Sequence, residues 1–252
     1  MKLSKVIKIT LLSVLSVGLV VYIGYAMLFL SAPDENERCV DVELIVKQDA
    51  EVQFLSVLDV ENLLKEARVY PKGMLMKDVN TKKIEEAVQK NEFVSKVSCY
   101  KSADSKLCVK VELRTPVMYV APDGKDGYFI DAHGKIIPNK NYVENLIIAS
   151  GNIDEQYAST RLAEFGQFLC NNEFWNNQIE QIYVQKNKKG ENVIELVPRV
   201  GDHIVSLGTM DDYERKLRKL RTFYEKAMGT VGWNKYAKVN LEYGNQIICT
   251  KK

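Results

Sequence analysis

The sequence is poor in the residues and motifs that carry most enzyme chemistry. It holds only two histidines, His133 and His203, and neither has a cysteine or a second histidine at the spacing of a zinc site. No G-x-S-x-G motif is present, because Ser206-Leu207-Gly208 lacks the first glycine of that motif. We therefore expect no catalytic residue, no metal site, no cofactor and no small-molecule substrate.

Two further counts limit the class of protein. The five cysteines are an odd number, so a fully paired disulfide framework is impossible. Cys99 and Cys108 fall on opposite faces of their predicted strands, because side chains alternate along a strand, and buried or inert thiols are the preferred interpretation. The net charge of +2 gives no reason to expect nucleic acid as a partner.

Charge is absent from Ile9 to Leu30, a run of about 22 residues that is long enough to span a ~30 Å hydrocarbon core as one helix. Lysines precede the run and acidic residues follow it, which predicts a cytoplasmic N-terminus and an extracytoplasmic remainder. A cleaved signal peptide is the alternative, but its apolar stretch spans only ~7–15 residues, and Leu30-Ser31-Ala32 matches a cleavage site poorly. We expect an uncleaved anchor.

The residues after a polar linker at 31–39 have the order β-α-α-β-β. Val40–Lys47 alternates as a half-buried strand, and a stripe with helical spacing follows from Val60 to Ala67. Asn80 is a good N-cap for the second helix, and Val79 and Ile84 occupy the positions of a hydrophobic staple. Two predicted strands complete the module, at Val94–Tyr100 and Lys106–Arg114.

Beyond Pro116 the chain is rich in short strands and turns and contains two helices, predicted at Glu155–Cys170 and Asp211–Met228. Thr209 and Asp212 resemble a capping box at the start of the second helix. The last predicted element is one strand, Ala237–Cys249, broken at Gly244-Asn245. The fold class is thus α+β, with a β-rich domain and flanking helices following the first module.

Two surfaces of this β-rich domain are candidates for binding. The second helix carries five cations within seven residues, for which a solvated face balanced by nearby acids is the favoured interpretation. The terminal strand is an edge strand able to accept a partner's strand, or an ordinary internal strand; the sequence leaves both open. On an edge, Tyr243 would supply a rigid amphipathic contact.

The order of these pieces resembles the bacterial cell-division family FtsQ/DivIB. Lys72-Gly73-Met74-Leu75 and Asn91-Glu92-Phe93-Val94 are similar to the loop and strand entry of the family's POTRA domain. The segment ending at Arg114-Thr115-Pro116 and the hairpin Tyr128-Phe129-Ile130-Asp131-Ala132-His133-Gly134 are similar to the start of its β domain. Val239-Asn240-Leu241-Glu242-Tyr243 resembles its closing Val-Asp-Leu-Arg-Tyr strand, with Asn240 and Glu242 as departures that reverse the local charge.

The resemblance implies a non-enzymatic divisome scaffold in the inner (cytoplasmic) membrane at the septum, which helps control septal peptidoglycan synthesis. FtsB- and FtsL-like division proteins are the implied partners of the β domain, with Val239, Leu241 and Tyr243 as the matching contact positions. Other divisome proteins are implied partners of the POTRA-like domain. The domain boundaries predicted on this basis are a cytoplasmic tail at 1–8, a transmembrane helix at 9–30, a linker at 31–39, a POTRA-like domain at 40–114 and a β domain at 115–252.

Two other functions are compatible with the same pattern. A POTRA-type binding protein of protein translocation or envelope assembly usually carries several such modules or a membrane β-barrel, and this chain has one module and no series of membrane strands. A membrane-anchored cell-wall hydrolase would need a nucleophile or a metal constellation, which the sequence does not offer.

Overall fold

A computed structural model describes residues 3–29, 36–47, 54–139, 146–244 and 246–252. The first element is a long helix, α1 (Leu3–Phe29), which contains the uncharged segment Thr10–Met27. That segment is long and apolar enough to cross a membrane, and none of it is buried. The helix begins before the predicted boundary at Ile9. Leu30 and residues 31–35 of the predicted linker lie outside the described residues.

The chain after α1 forms two units that meet in sequence between Leu113 and Arg114. The first unit contains the predicted β-α-α-β-β order. A short 3-10 turn, Met76–Asp78, lies between its two α-helices. Its elements are β1 (Asp41–Lys47), α2 (Val57–Glu66), α3 (Thr81–Gln89), β2 (Val94–Lys101) and β3 (Lys106–Leu113). The sheet order is β1-β3-β2, with β1 parallel and β2 antiparallel to the central strand.

Side-chain hydrogen bonds cap the N-termini of both helices of this unit. The Ser56 hydroxyl accepts from the Asp59 amide, and the Asp59 carboxylate accepts from the Ser56 amide, which forms a capping box that the sequence analysis missed. The Asn80 side chain accepts from the amide of Lys83 at 3.1 Å, which confirms the predicted N-cap of α3. The caps set the start of each helix, so that their apolar stripes face the sheet.

The core of the first unit lies between the helices and one face of β3. Its fully buried side chains alternate along β3 and recur at helical spacing in α2 and α3, as expected for elements that share one apolar layer. They include Val60, Leu64, Ile84, Val88, Leu107, Val109 and Val111. The register places Cys99 opposite Val109 and Cys108 opposite Tyr100, so the two thiols point to opposite faces of the sheet. All five cysteines are free.

The second unit is a mixed sheet of nine strands in the order β12-β11-β10-β9-β8-β7-β4-β5-β6. Its strands are β4 (Pro116–Pro122), β5 (Tyr128–Asp131), β6 (Ile136–Pro138), β7 (Ile148–Gly151), β8 (Ile179–Lys186), β9 (Asn192–Pro198), β10 (Ile204–Gly208), β11 (Tyr236–Asn240) and β12 (Ile248–Lys251). Parallel pairs occur at β4/β7, β7/β8 and β10/β11, and the other pairs are antiparallel.

Helical crossovers connect two of the three parallel pairs, as parallel neighbours require. The segment between β7 and β8 contains α4 (Glu155–Tyr157), a π-helical turn, α5 (Ala163–Cys170) and α6 (Glu173–Gln178). The segment between β10 and β11 contains α7 (Tyr213–Phe223), a second π-helical turn and α8 (Gly229–Val231). Apolar residues of these helices share one core with alternate residues of the strands, among them Phe165, Leu217, Val205 and Val239.

Two motifs from the sequence meet at the start of this unit. Arg114 Nη1 donates to the Asp131 carboxylate at 2.6 Å, and the other oxygen of that carboxylate accepts from the amides of His133 and Lys135. Asp131 therefore closes the β5–β6 hairpin and binds the chain that enters β4. Gly134 has φ of +75°, and a Cβ there would lie 1.7 Å from the carbonyl oxygen of Ser159, so the turn needs glycine at this position.

Three local predictions in this unit are wrong. Asp212, at the N-cap of α7, has φ of 52° and caps no amide, while Thr209 donates to Asp211, so the expected capping box is not formed. The helix continues past Gly229 and stops at Gly232, which has φ of +87°. The terminal segment is a hairpin of β11 and β12 rather than one broken strand, because the chain reverses around 241–247, where Asn245 lies outside the described residues.

Candidate partner-binding edge

The three predicted contact residues occupy very different environments. Val239 lies in β11 and Leu241 directly follows it, and both side chains are fully buried in the core of the second unit. Tyr243 lies in the turn after β11 and is 49 % exposed. Tyr243 is therefore accessible to a partner, whereas Val239 and Leu241 pack in the hydrophobic core beneath the sheet.

The strand that carries Val239 is internal. Val239 faces Val205 of β10 on one side and Cys249 of β12 on the other, so the main chain of β11 is paired along both edges. The edge at this end of the sheet is β12, which among the described strands pairs with β11 alone. An added strand would therefore contact β12, a strand that the sequence analysis had joined to β11.

The hydrogen-bonding direction of β12 follows from the residue directly after it. The amide of Lys252 donates inward to the carbonyl oxygen of Lys235. Because inward and outward groups alternate along an antiparallel strand, the main-chain groups of Cys249 and Lys251 face outward. Ile248 adds an apolar side chain that is 43 % exposed at the start of this edge. The edge thus offers main-chain donors and acceptors beside an apolar contact.

A shallow groove runs beside this edge, between α7 and the segment that precedes β12. Its volume is about 410 Å³. Its lining is apolar with two lysines at the rim, and consists of Lys219, Thr222, Phe223, Lys226, Ala227, Gln246 and Ile247. An apolar groove with cationic groups beside it is suited to an apolar side chain that has an acidic neighbour.

Most cations of α7 are used within the molecule. Arg218 and Arg221 pair with acids one turn away on the same helix, with nitrogen–oxygen distances of 3.7 and 2.8 Å. Lys216 is buried, and its ammonium donates to the carbonyl oxygen of Thr209 at 2.7 Å. Arg218 and Arg221 fit the predicted solvated face balanced by acids, whereas Lys216 does not, because it is buried and bonds to the main chain. Lys219 and Arg215 donate to main-chain oxygens of the turn between β11 and β12.

The edge strand β2 of the first unit is closed by side chains of α3. Glu85 Oε1 accepts from the Cys99 amide at 2.7 Å, and Gln89 Nε2 donates to the Ser95 carbonyl oxygen at 3.2 Å. A carboxylate and an amide therefore occupy positions that a partner's main chain would need. Among the described edges, β12 combines outward main-chain groups, an exposed tyrosine and an adjoining groove.

The histidines and thiols of the described chain form no recognisable reactive site. His203 is buried, with its Nε2 2.8 Å from the hydroxyl of Tyr224, and burial lowers the pKa of His203 and raises the pKa of Tyr224. Burial also raises the pKa of the Cys99 thiol to about 12, which disfavours the reactive thiolate. No group of three or more histidine, cysteine, aspartate or glutamate residues that could hold a metal ion occurs among the described residues.

Sequence reasoning missed the strand β12 and the cations that hold the turn before it. Ile247-Ile248-Cys249 is a short apolar run behind Gly244, which is a signal for a hairpin rather than for one long strand. No sequence signal identifies Lys219, because its spacing from Leu217 and Leu220 marks only the edge of the apolar stripe. Its role depends on a turn more than 20 residues away along the chain.

Each of the two units matches the model of a known protein family. A POTRA-like domain model matches residues 37–112, and the model described as FtsQ/DivIB, C-terminal related, matches residues 115–250. No curated protein matches the chain. The single apolar helix near the N-terminus together with these domains fits a single-pass membrane protein. Since the second match spans more than half of the 252 residues, this chain belongs to the FtsQ/DivIB C-terminal-related family, whose members are non-enzymatic division scaffolds.

Proposed function

We propose that this protein is a non-enzymatic scaffold of the bacterial division machinery that binds FtsB- and FtsL-type proteins through the β12 edge and helps control septal peptidoglycan synthesis. The observation that carries the proposal is the free edge of β12 beside the exposed side chain of Tyr243. The POTRA-like unit would contact other divisome proteins, within domain boundaries close to 40–114 and 115–252.

The proposed binding mode is strand addition. A partner strand would hydrogen-bond with the outward main-chain groups of Cys249 and Lys251, and its alternate side chains would supply specificity. Tyr243 would add a rigid amphipathic contact at the end of the edge. The groove at Phe223 and Ile247 would accept an apolar side chain of the partner, and Lys226 at its rim would favour an acidic neighbour.

The proposed location is the inner (cytoplasmic) membrane at the division septum. Lys2, Lys5 and Lys8 lie on the N-terminal side of the apolar segment, which favours a cytoplasmic N-terminus and places both units outside the cytoplasm. In this orientation α1 anchors the protein, and both units are available to extracytoplasmic partners. A partner anchored in the same membrane would be present at a raised effective concentration.

The proposal is tested by measuring binding of the full chain, reconstituted in lipid nanodiscs, to the FtsB–FtsL pair of the same organism. Tyr243→Glu is expected to lower affinity at least about tenfold, because a buried aromatic contact at an interface commonly contributes ~2 kcal/mol or more. Tyr183→Glu is the matched control, since Tyr183 is a 40 % exposed tyrosine on the same sheet, several strands away from the edge. Circular dichroism verifies that both variants fold.

A second pair of variants tests the main chain itself. Lys251→Pro removes an outward amide from β12, whereas Lys251→Ala removes only the side chain. Loss of binding in the proline variant alone supports strand addition. Equal binding by both variants, or by the Tyr243 variant and wild type, moves the interface away from β12. No binding by the wild-type chain rejects the proposed partners and leaves the other POTRA-type roles to be tested.

A further inference from the structure

The turn between β11 and β12 has main-chain groups that the sheet does not satisfy. The carbonyl oxygens of Leu241, Tyr243 and Gly244 lie 3.3, 2.6 and 3.2 Å from the ammonium nitrogen of Lys219, which projects from α7. An ammonium group has three N–H donors and no acceptor, so one lysine can bind three carbonyl oxygens. Lys219 thus takes the place of the ladder partners that this turn lacks.

A second cation of α7 contacts the same turn. Arg215 Nη1 donates to the carbonyl oxygen of Gly244 at 3.0 Å, while its Nη2 lies 3.3 Å from the Asp212 carboxylate. Partial burial of Lys219 and, to a smaller extent, the nearby charge of Arg215 lower the pKa of Lys219. The hydrogen bonds show that this ammonium is directed toward the turn, unlike that of an ordinary lysine on a solvated helix face.

These contacts determine which way the residues of the turn point. With the carbonyl oxygen of Leu241 drawn to α7, the Leu241 side chain is fully buried, and the Tyr243 side chain two residues later is exposed. On the other side, the amide of Leu241 donates to the carbonyl oxygen of Ser206 in β10 at 2.9 Å. The turn is therefore held from both α7 and the sheet immediately before β12 begins.

We infer that Lys219 is a positioning residue of the binding edge: it holds the turn so that Tyr243 faces outward and β12 is aligned for an added strand. This inference rests on the proposed function and identifies a residue that supports it by holding the turn with its ammonium group. Arg215 supports Lys219 at Gly244. Without the ammonium, these carbonyl oxygens hydrogen-bond with water instead. The arrangement of β12 that can bind a partner strand then becomes one of several.

The test uses the full chain in nanodiscs with three variants. Lys219→Met removes the ammonium and keeps most of the aliphatic stem, and Lys219→Arg keeps a cationic donor. Arg218→Met is the control, because it removes a charge from the neighbouring position of the same helix, where the guanidinium pairs with Glu214 rather than with the turn. Hydrogen exchange of Ile248–Lys251 and affinity for the FtsB–FtsL pair are measured for each.

Lys219→Met is expected to raise exchange in β12 and to weaken binding about tenfold, because apparent affinity falls with the competent fraction of the protein. Lys219→Arg is expected to restore both quantities to within about threefold, and Arg218→Met to change neither. Wild-type exchange in the Lys219→Met variant would overturn the inference. Equal weakening by Arg218→Met would also overturn it, since the effect would then be general charge attraction.

The two proposals can fail separately. If the wild-type chain does not bind the pair, the proposed function fails, while exchange in β12 still reports whether Lys219 holds the turn. If the wild-type chain binds and Lys219→Met binds equally, only the positioning role is rejected. The thermal midpoint of each variant identifies a change in binding that comes from unfolding of the whole unit.

Discussion

At the scale of single residues, the ion pair of Arg114 and Asp131 has the largest expected effect. Both side chains are largely withdrawn from solvent, with 15 and 4 % exposed, and the carboxylate also accepts two amides of the following turn. A buried carboxylate that loses its cation remains as an uncompensated charge, which costs more than the pair contributed. The pair therefore constrains how the chain enters the nine-stranded sheet.

Arg114→Met is expected to lower the free energy of unfolding of the second unit by about 3–5 kcal/mol. Adding Asp131→Asn should recover part of this loss, because the amide oxygen still accepts from the turn while the unpaired charge disappears. Chemical denaturation measures both variants, with Lys125→Met, an exposed cation of the same unit, as the control. A loss below about 1 kcal/mol, the usual value for a surface pair, would contradict the argument.

The shifted pKa of the buried His203 predicts that the folded protein is less stable at acidic pH. Burial lowers its pKa in the folded protein below the ordinary value of 6.5, so the unfolded chain binds the proton more readily than the folded one. Stability is therefore complete above the unfolded pKa and falls as the pH decreases below about 6.5. In the His203→Gln variant, the thermal midpoint should decrease less between about pH 7 and pH 5 than in the wild type. His133→Gln, at an exposed position, should show the same decrease as the wild type. An unchanged slope in the His203 variant would contradict this assignment.

At the scale of elements, one edge strand of the first sheet differs from one edge strand of the second. Side chains of α3 occupy main-chain groups of β2, while the outward side of β12 pairs with no other described strand. Exposed edges promote association with other chains, so proteins usually cover those that have no binding role. The difference supports β12, rather than β2, as the edge used for recognition.

Glu85→Ala is expected to open the β2 edge. The Cys99 amide would lose its charged acceptor, and we expect faster hydrogen exchange at Cys99 and a loss of about 1 kcal/mol, because the freed amide can hydrogen-bond with water. Glu86→Ala, one position away on the exposed side of α3, is the control. Slow exchange at Cys99 in the Glu85 variant would show that another group protects this edge.

Elements with strong local signals were predictable, and those that depend on distant contacts were not. The Asn80 cap and the alternating strands of the first unit follow from short-range geometry, and the structure confirms them. The capping box at Asp212 fails because Thr209 pairs with Asp211 and the backbone adopts a left-handed conformation there. The separate strand β12 was missed although Gly244 and the apolar run after it indicate a hairpin, whereas Lys219 and Arg215, which hold the turn, lie far away in sequence and have no such signal.

The same limit applies to the candidate site. The sequence and the family resemblance led to the C-terminal segment and to Tyr243, which the structure leaves exposed. The resemblance alone led to Val239 and Leu241, which are buried, because a motif match does not reveal which neighbours cover a strand. The accessible edge is one strand later, at Ile248–Lys251, and only the sheet order shows this.

At the scale of the whole molecule, each unit has a hydrophobic core of its own. Leu64 is fully buried in the POTRA-like unit, and Leu207 is fully buried in the second unit, which contains the proposed binding edge. A domain with its own core can lose stability without unfolding its neighbour. The recruitment that we propose for the POTRA-like unit and the strand addition that we propose for the second unit can then be separated by mutation.

Leu64→Ala and Leu207→Ala test this independence, and each is expected to cost its own unit about 2–5 kcal/mol. Because binding is assigned to the β12 edge, Leu64→Ala should raise hydrogen exchange only in the POTRA-like unit and leave FtsB–FtsL affinity unchanged. Leu207→Ala should raise exchange in the second unit and weaken binding. Hydrogen exchange and affinity are measured on the full chain in nanodiscs. If Leu64→Ala accelerates exchange in both units, they unfold as one cooperative body, and divisome recruitment and partner binding cannot be assigned to separate domains.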